Sequence, residues 1–228
     1  MMRKIKTDLA EIEGFLKDFK PSTPNFGEKS SLAKIKLSYK QFHALLVWGL
    51  VSERKSLNNT AEPLYFKECL SDISHAYFLN LSSLYKSSRS SLRSGIENAI
   101  RVALIEKGID VKNIVSVSDL FSEVKSSYKD DVFAYELIIK LTVIYSDLCK
   151  SVHSADVNYL SLSVPFQRLS EFDETQFLAE NDRLREVCSI INQCAFWLWS
   201  DKLSLAGHSN EDMVRDAIPR AVKRAKTA

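Results

Sequence analysis

Apolar and small residues recur at steps of three and four along the middle of the chain, at Leu70, Ile73, Tyr77, Leu81, Leu84, Ser88, Leu92, Ile96, Ala99 and Ala103. That is the period of one helix face, so the stretch from Leu64 to Gly108 predicts a long central helix around which the rest is organised. Unbroken, it would run about 65 Å, longer than a compact domain of this size is wide. Serines at 82, 83, 87, 88, 90, 91 and 94, with Gly95, lower helix propensity and let backbones approach closely. They place a bend between Ser82 and Gly95.

The same periodicity predicts helices on both sides. Residues 1–20 carry Ile5, Leu9, Ile12, Leu16 and Phe19 at alternating steps of four and three, a short stripe that serves either as a packing arm or as a seam for a dimer or partner. Pro21 to Gly27 forces a loop. A second helix, about 31–55, has Leu32, Ile35, Tyr39, Phe42, Leu46 and Gly49 on one face and Leu37, Leu45 and Trp48 beyond it, which predicts extensive burial. His43 within it reads as a structural or surface histidine. Residues 58–63 form a loop, Gly108 ends the central stretch as a C′ glycine, and Ser118-Asp119 reads as the cap of a short helix containing Leu120, Phe121 and Val124. Further helices are predicted over 131–152 and 174–203. Residues 156–173 between them are weakly patterned and read as a covering loop. Gly207 closes the body, and a tail follows in which Pro219 either kinks a helix or begins a new one.

Composition narrows the class. Apolar residues make up 45% and charged residues 26%, with only 6 Gly and 5 Pro in 228 residues, so turns are scarce and elements are long. The pattern predicts an all-α bundle of about six helices, with an N-terminal amphipathic helix (1–20), a bundle (31–204) and a basic C-terminal helical tail (205–228). Net charge is +2. The exception to this near-neutrality is the tail, where Arg215, Arg220, Lys223, Arg224 and Lys226 face a single acid, Asp216, after position 214. Such a cluster suits an acidic partner or a nucleic-acid backbone. Cys69, Cys149, Cys188 and Cys194 form no C-x-x-C pair and fall in helical runs, the pattern of reduced thiols. The charged N-terminal sequence lacks the apolar run of a signal peptide or membrane span, so a cytoplasmic protein is expected.

Candidate chemistry is sparse. Arg89, Arg93, Glu97 and Arg101 recur every four residues as one winding polar line, which is either an ion-pair ladder or an anion site for phosphate. Tyr145, Cys149 and His153 share a helix face near the end of the 131–152 helix. Trp197 and Trp199 are anchors for the core or for an interface. No P-loop, dinucleotide turn, G-x-S-x-G elbow, H-E-x-x-H or paired Cys/His pattern occurs, so no metal or cofactor is expected.

The pairing of LRSGIENAIR, residues 92–101, with YSDLCKSVHS, residues 145–154, resembles divergent members of the HEPN superfamily found in bacterial toxin and antiphage systems. The resemblance spans about 64–203. It implies an α-helical bundle, often dimeric, whose active members are metal-independent RNases with an Arg four to six residues before a His. It makes His153 the family histidine. The positions for the arginine hold Leu148, Asp147 and Ser146, and the nearest cation is Lys150. Without a cation to stabilise a charged phosphorane, the resemblance favours a bundle kept for binding. The expectation is a non-catalytic interaction subunit of a bacterial defence complex whose nuclease or ATPase activity lies in another subunit. Its contact surfaces would be Ile5, Leu9, Ile12 and Leu16, the tryptophans and the basic tail. The alternatives are a HEPN-like ribonuclease using His153 with Tyr145 and phosphate contacts from Arg89, Arg93 or Arg101, and a nucleic-acid accessory acting through Arg220, Lys223 and Arg224.

Overall fold

The computed structural model describes residues 22–24, 29–55, 61–152 and 171–227. Among them stand eight α-helices, one 3-10 helix and no strand: α1 (Lys29–Lys55), α2 (Ala61–Leu81), α3 (Tyr85–Glu106), α4 (Val117–Tyr128), α5 (Val132–Val152), α6 (Glu174–Trp199), the 3-10 helix Ser200–Ala206, α7 (His208–Ala217) and α8 (Arg220–Thr227). The fold is all-α. The 1–20 helix, the covering loop around 156–170 and His153 lie outside the described residues.

The central stretch is two helices. It breaks at Ser82–Leu84, the first residues of the window predicted for a bend, and Gly95 lies buried inside α3. The break is a Schellman turn: Ser83 takes a positive φ of 59°, its N–H bonds to the Asn80 carbonyl, and the Leu84 N–H bonds to the Leu79 carbonyl. The apolar run therefore does not line one helix but the facing sides of a hairpin. Small residues draw α2 and α3 together. A Cβ placed on Gly95 would lie 2.9 Å from Ile73 Cγ1, and Ser88 Oγ donates to the Ala76 carbonyl at 2.7 Å. At the far end, the Gly108 and Ile109 N–H groups close α3 on the Ile105 and Leu104 carbonyls, with Gly108 at φ 77°.

Around this hairpin pack α5 and α6 on α3, and α1 on α2, α6, the 3-10 helix and α7. The core centre is aromatic. Trp48, Phe66 and Trp199 meet edge to face, with centroids 6.1 Å apart for Trp48–Trp199 and 5.3 Å for Phe66–Trp199. Buried polar bonds pin α1 in register: Ser38 Oγ donates to Asn181 Oδ1 at 2.7 Å, and Asn192 Nδ2 donates to the Gln41 carbonyl at 2.8 Å.

Several local expectations are corrected. The α4 cap is Ser116, which accepts from the Asp119 N–H, because it is Ser116 that takes the extended backbone a cap needs. The helix of α2 begins at Ala61, so Pro63 sits in its first turn, where a missing N–H costs nothing. Nor is α1 buried across its whole apolar width, since Leu37, Tyr39, Leu46 and Leu50 remain exposed. The tail is part of the body: Val214, Ala217, Ile218 and Val222 are buried in the main core. Pro219 separates α7 from α8. Among the described residues no helix is long and apolar enough to cross a membrane.

Candidate functional site

The helices that carry the candidate chemistry are α3 and α5, and the structure sets them side by side. Arg89, Arg93, Glu97 and Arg101 follow one line along α3, as their spacing requires, and each is partly buried. The partners of Arg89 and Arg101 lie on other elements. Arg89 Nε donates to Glu180 Oε1 at 2.8 Å, and Arg183 Nη1 meets both oxygens of that carboxylate at 2.9 and 3.0 Å. Glu180 is 2% exposed, so two guanidiniums enclose one buried anion and tie α3 to α6. Arg101 Nη1 donates to the carbonyls of Val111 and Ile114 at 3.2 and 3.1 Å, and its guanidinium lies 5.8 Å from the centre of the Tyr65 ring. It thereby fastens the loop between α3 and α4.

The middle of the line meets α5. Tyr145 Oη donates to Glu97 Oε1 at 2.7 Å, and Arg93 stands 3.8 Å from the same oxygen. The Tyr145 ring lies on Phe121 with centroids 4.8 Å apart. Burial, and then the carboxylate it bonds, push the Tyr145 phenol well above the ordinary tyrosine range. It is therefore a fixed donor at neutral pH rather than a phenolate base. Cys149 stands one turn further along α5, and His153 falls outside the described residues.

The remaining candidates separate. Trp199 is 2% exposed in the aromatic centre, which removes it as a contact surface: its place one helical turn from Ala195 and Phe196 turns it inward. Trp197 is partly buried. Its indole N–H donates to Asp131 Oδ2 at 2.8 Å, its ring lies on Phe133, and Lys226 sits over it at 4.7 Å. Both tryptophans thus hold the fold, and Lys226 uses its charge to clamp α8 to α6. In the basic tail Lys223 Nζ donates to the Arg215 carbonyl at 2.9 Å, while Arg220 and Arg224 are exposed. Ile5, Leu9, Ile12 and Leu16 lie outside the described residues.

Two features were not read from the sequence. One is the carboxylate of Glu180, whose partner Arg89 lies 91 positions away. The other is the outward side of α1, where Tyr39 is 49%, Leu46 38% and Leu50 39% exposed. Angular bookkeeping at 100° per residue would have put these three on a single narrow stripe. Beside the stripe, Tyr39 and His43 form a groove of about 390 Å³ with Met213 and Asp216 of α7.

Among the described residues no group of three or more His, Cys, Asp or Glu is arranged to hold a metal ion. No protein-family model matches the chain, and comparison with curated proteins and with solved structures finds no match.

Proposed function

We propose that this chain is a non-catalytic helical interaction subunit that docks a protein partner through the outward stripe of α1. The observation that carries the reading is the exposure of Tyr39, Leu46 and Leu50 on a helix otherwise packed on four elements. Large apolar side chains aligned on one rigid face, next to a groove, are what a helix-in-groove or helix-on-helix contact uses. The α3 line supports the same reading, because Arg89 and Arg101 spend their donors on Glu180 and on loop carbonyls. The resemblance supplies the setting, a bacterial antiphage or toxin assembly whose nuclease or ATPase activity lies in another subunit.

The test compares tagged wild type with a Leu46→Glu/Leu50→Glu variant in affinity purification from the native host. A nuclease or ATPase subunit retained in stoichiometric amount by wild type, and about tenfold less by the variant, is the expected result. Equal retention by both, or wild type eluting alone, overturns it.

A second reading, a metal-independent ribonuclease using His153, is favoured by one contact. The Tyr145–Glu97 hydrogen bond joins the two helices that carry the resemblance. RNA cleavage by the purified chain that is lost in His153→Ala would establish it, and an inactive wild type would remove it.

A further inference from the structure

The groove beside α1 has the form of a socket. It holds about 390 Å³, and Lys36, Tyr39, Lys40 and His43 line it at positions i, i+3, i+4 and i+7 of one helix, together with Met213 and Asp216 of α7. Four residues at that spacing make the hole into which a neighbouring helix inserts one apolar knob. Beyond the socket the outward stripe continues through Leu46 and Leu50 to Glu53, all exposed. From Lys36 through Tyr39, His43, Leu46 and Leu50 to Glu53 the steps run three, four, three, four and three.

Such a spacing reads the same in both directions, but its ends differ: the stripe begins at a cation and finishes at an anion. Laid antiparallel on a second α1 about the point between Ala44 and Leu45, it brings Leu50 of one copy over the socket of the other, Leu46 onto His43, and Glu53 to Lys36. Each contact occurs twice, as a two-fold axis requires. A parallel pair would set Lys36 against Lys36 and lose the charge match.

We propose that a second copy of the chain covers the α1 stripe of the free protein, antiparallel across a two-fold axis, with Leu50 of each copy seated in the socket of the other. The charges at the two ends select this occupant, because the helix that supplies the knob must also carry an anion three positions beyond it to meet Lys36. Glu53 stands there. It already meets Lys67 of α2 at 3.0 Å, but both side chains are about half exposed and a carboxylate accepts from two cations. Knob and socket lie on one stripe, so two copies use up both and the assembly closes instead of growing into a filament. A single helix crossing offers less than the roughly 800 Å² per partner of a standard interface, so the dimer is weak and dissociates in the micromolar range. This occupant rests on the reading of α1 as a contact face, and a partner reaches that face by displacing the second copy. Self-association is measured on the purified chain and partner docking on recovery from the host, so either fails while the other stands.

The experiment follows the mass of the purified full chain by sedimentation equilibrium across the micromolar range. The expected result is a monomer–dimer equilibrium, weakened at least about tenfold in Leu50→Glu. Lys36→Glu and Glu53→Lys each weaken it about fivefold, and the Lys36→Glu/Glu53→Lys double variant returns to the wild-type value. A wild type that stays monomeric throughout the range overturns the proposal, and so does a dimer that Leu50→Glu leaves intact. Register is read in a gently oxidised Tyr39→Cys/Leu50→Cys variant with linked peptides mapped by mass spectrometry. Positions 39 and 50 lie about 16 Å apart along one helix, too far for a disulfide within the chain, so a 39–50 link forms only between copies. A Leu37→Cys/Leu50→Cys variant is the control, because position 37 is exposed but lies about 160° around the helix from Tyr39. The 39–50 link should be at least about tenfold more abundant than the 37–50 link. Equal yields overturn the proposal, even for a chain that dimerises, by placing the contact elsewhere.

Discussion

Where α3 faces α2, Gly95 meets Ile73, Ser88 bonds to the Ala76 carbonyl and Leu92 and Ile96 are buried. Where it faces α5 and α6, long polar side chains span the gap: Arg89 to Glu180 and Glu97 to Tyr145. The first seam is held by apolar burial and by the absence of side-chain bulk, and it tolerates no added volume. The second adds a few directed contacts to apolar packing in which Ile100 and Ala103 lie with Ile138, Leu141 and Ile191. The same helix thus has one side sensitive to volume and another sensitive to charge as well. That division explains why a serine-rich, arginine-rich sequence forms a central helix rather than a loop.

Adding volume to the first seam breaks it most severely. Gly95→Leu puts a side chain where a Cβ alone would already lie 2.9 Å from Ile73 Cγ1, 3.5 Å from Asp72 Cβ and 3.6 Å from the Cys69 carbonyl oxygen. Ile73 is fully buried and cannot swing into solvent. The expected loss is about 3 kcal/mol, read as a lower denaturant midpoint at unchanged slope. A loss under about 1 kcal/mol would mean that the hairpin is not packed this closely.

Removing charge from the second seam costs less. Glu180→Ala leaves the Arg89 and Arg183 guanidiniums facing each other without an anion, but their side chains are 16% and 30% exposed and water recovers part of the loss. About 2 kcal/mol is expected, below the cost of breaking a fully buried pair. An Arg89→Met/Glu180→Met double variant should recover part of it, because one of the two stranded cations is gone. A double variant as unstable as the single would show that the stranded Arg89 cation is not the source of the loss.

These two seams also separate what could be read in the sequence from what could not. Local punctuation was legible: α6 starts at Glu174, Gly108 ends α3 at positive φ, and Pro219 divides the tail. The break at Ser83 was bracketed but not located. A serine in the left-handed region is uncommon and costs about 1 kcal/mol, so the sequence does not announce it as it announces Gly95. Gly95 was the stronger breaker by propensity and turned out to be a packing residue, because tertiary contact outweighs about 1 kcal/mol of intrinsic preference. The role of the arginine line was set by residues far along the chain, Glu180 and the loop carbonyls of Val111 and Ile114, which no local period reveals. The exposed stripe of α1 was hidden for a related reason. Its leucines are as apolar as those inside, and the placement of α2, α6, the 3-10 helix and α7 around α1 decides which face stays open.

The mildest change sharpens the comparison through pH. Tyr145→Phe removes the hydrogen bond to Glu97 and keeps the ring on Phe121, so a loss of about 1 kcal/mol is expected at pH 7. In the folded chain the phenol is held above its ordinary value of about 10, first by burial and then by the carboxylate it bonds. Its stabilising contribution is therefore complete below pH 10. It is lost as the pH rises further, because the unfolded chain then releases a proton that the folded chain retains. The phenylalanine variant lacks this term, so the wild-type and variant stabilities should converge within about one pH unit above 10. Burial raises the Cys69 thiol and pushes that of Cys188 up to about 12, which gives both proteins a common alkaline decline that cancels in the difference. A gap that stayed constant from pH 7 to 11 would mean that Tyr145 ionises as freely in the folded chain as in the unfolded one. The α3–α5 seam would then be as open to water as the outward face of α1.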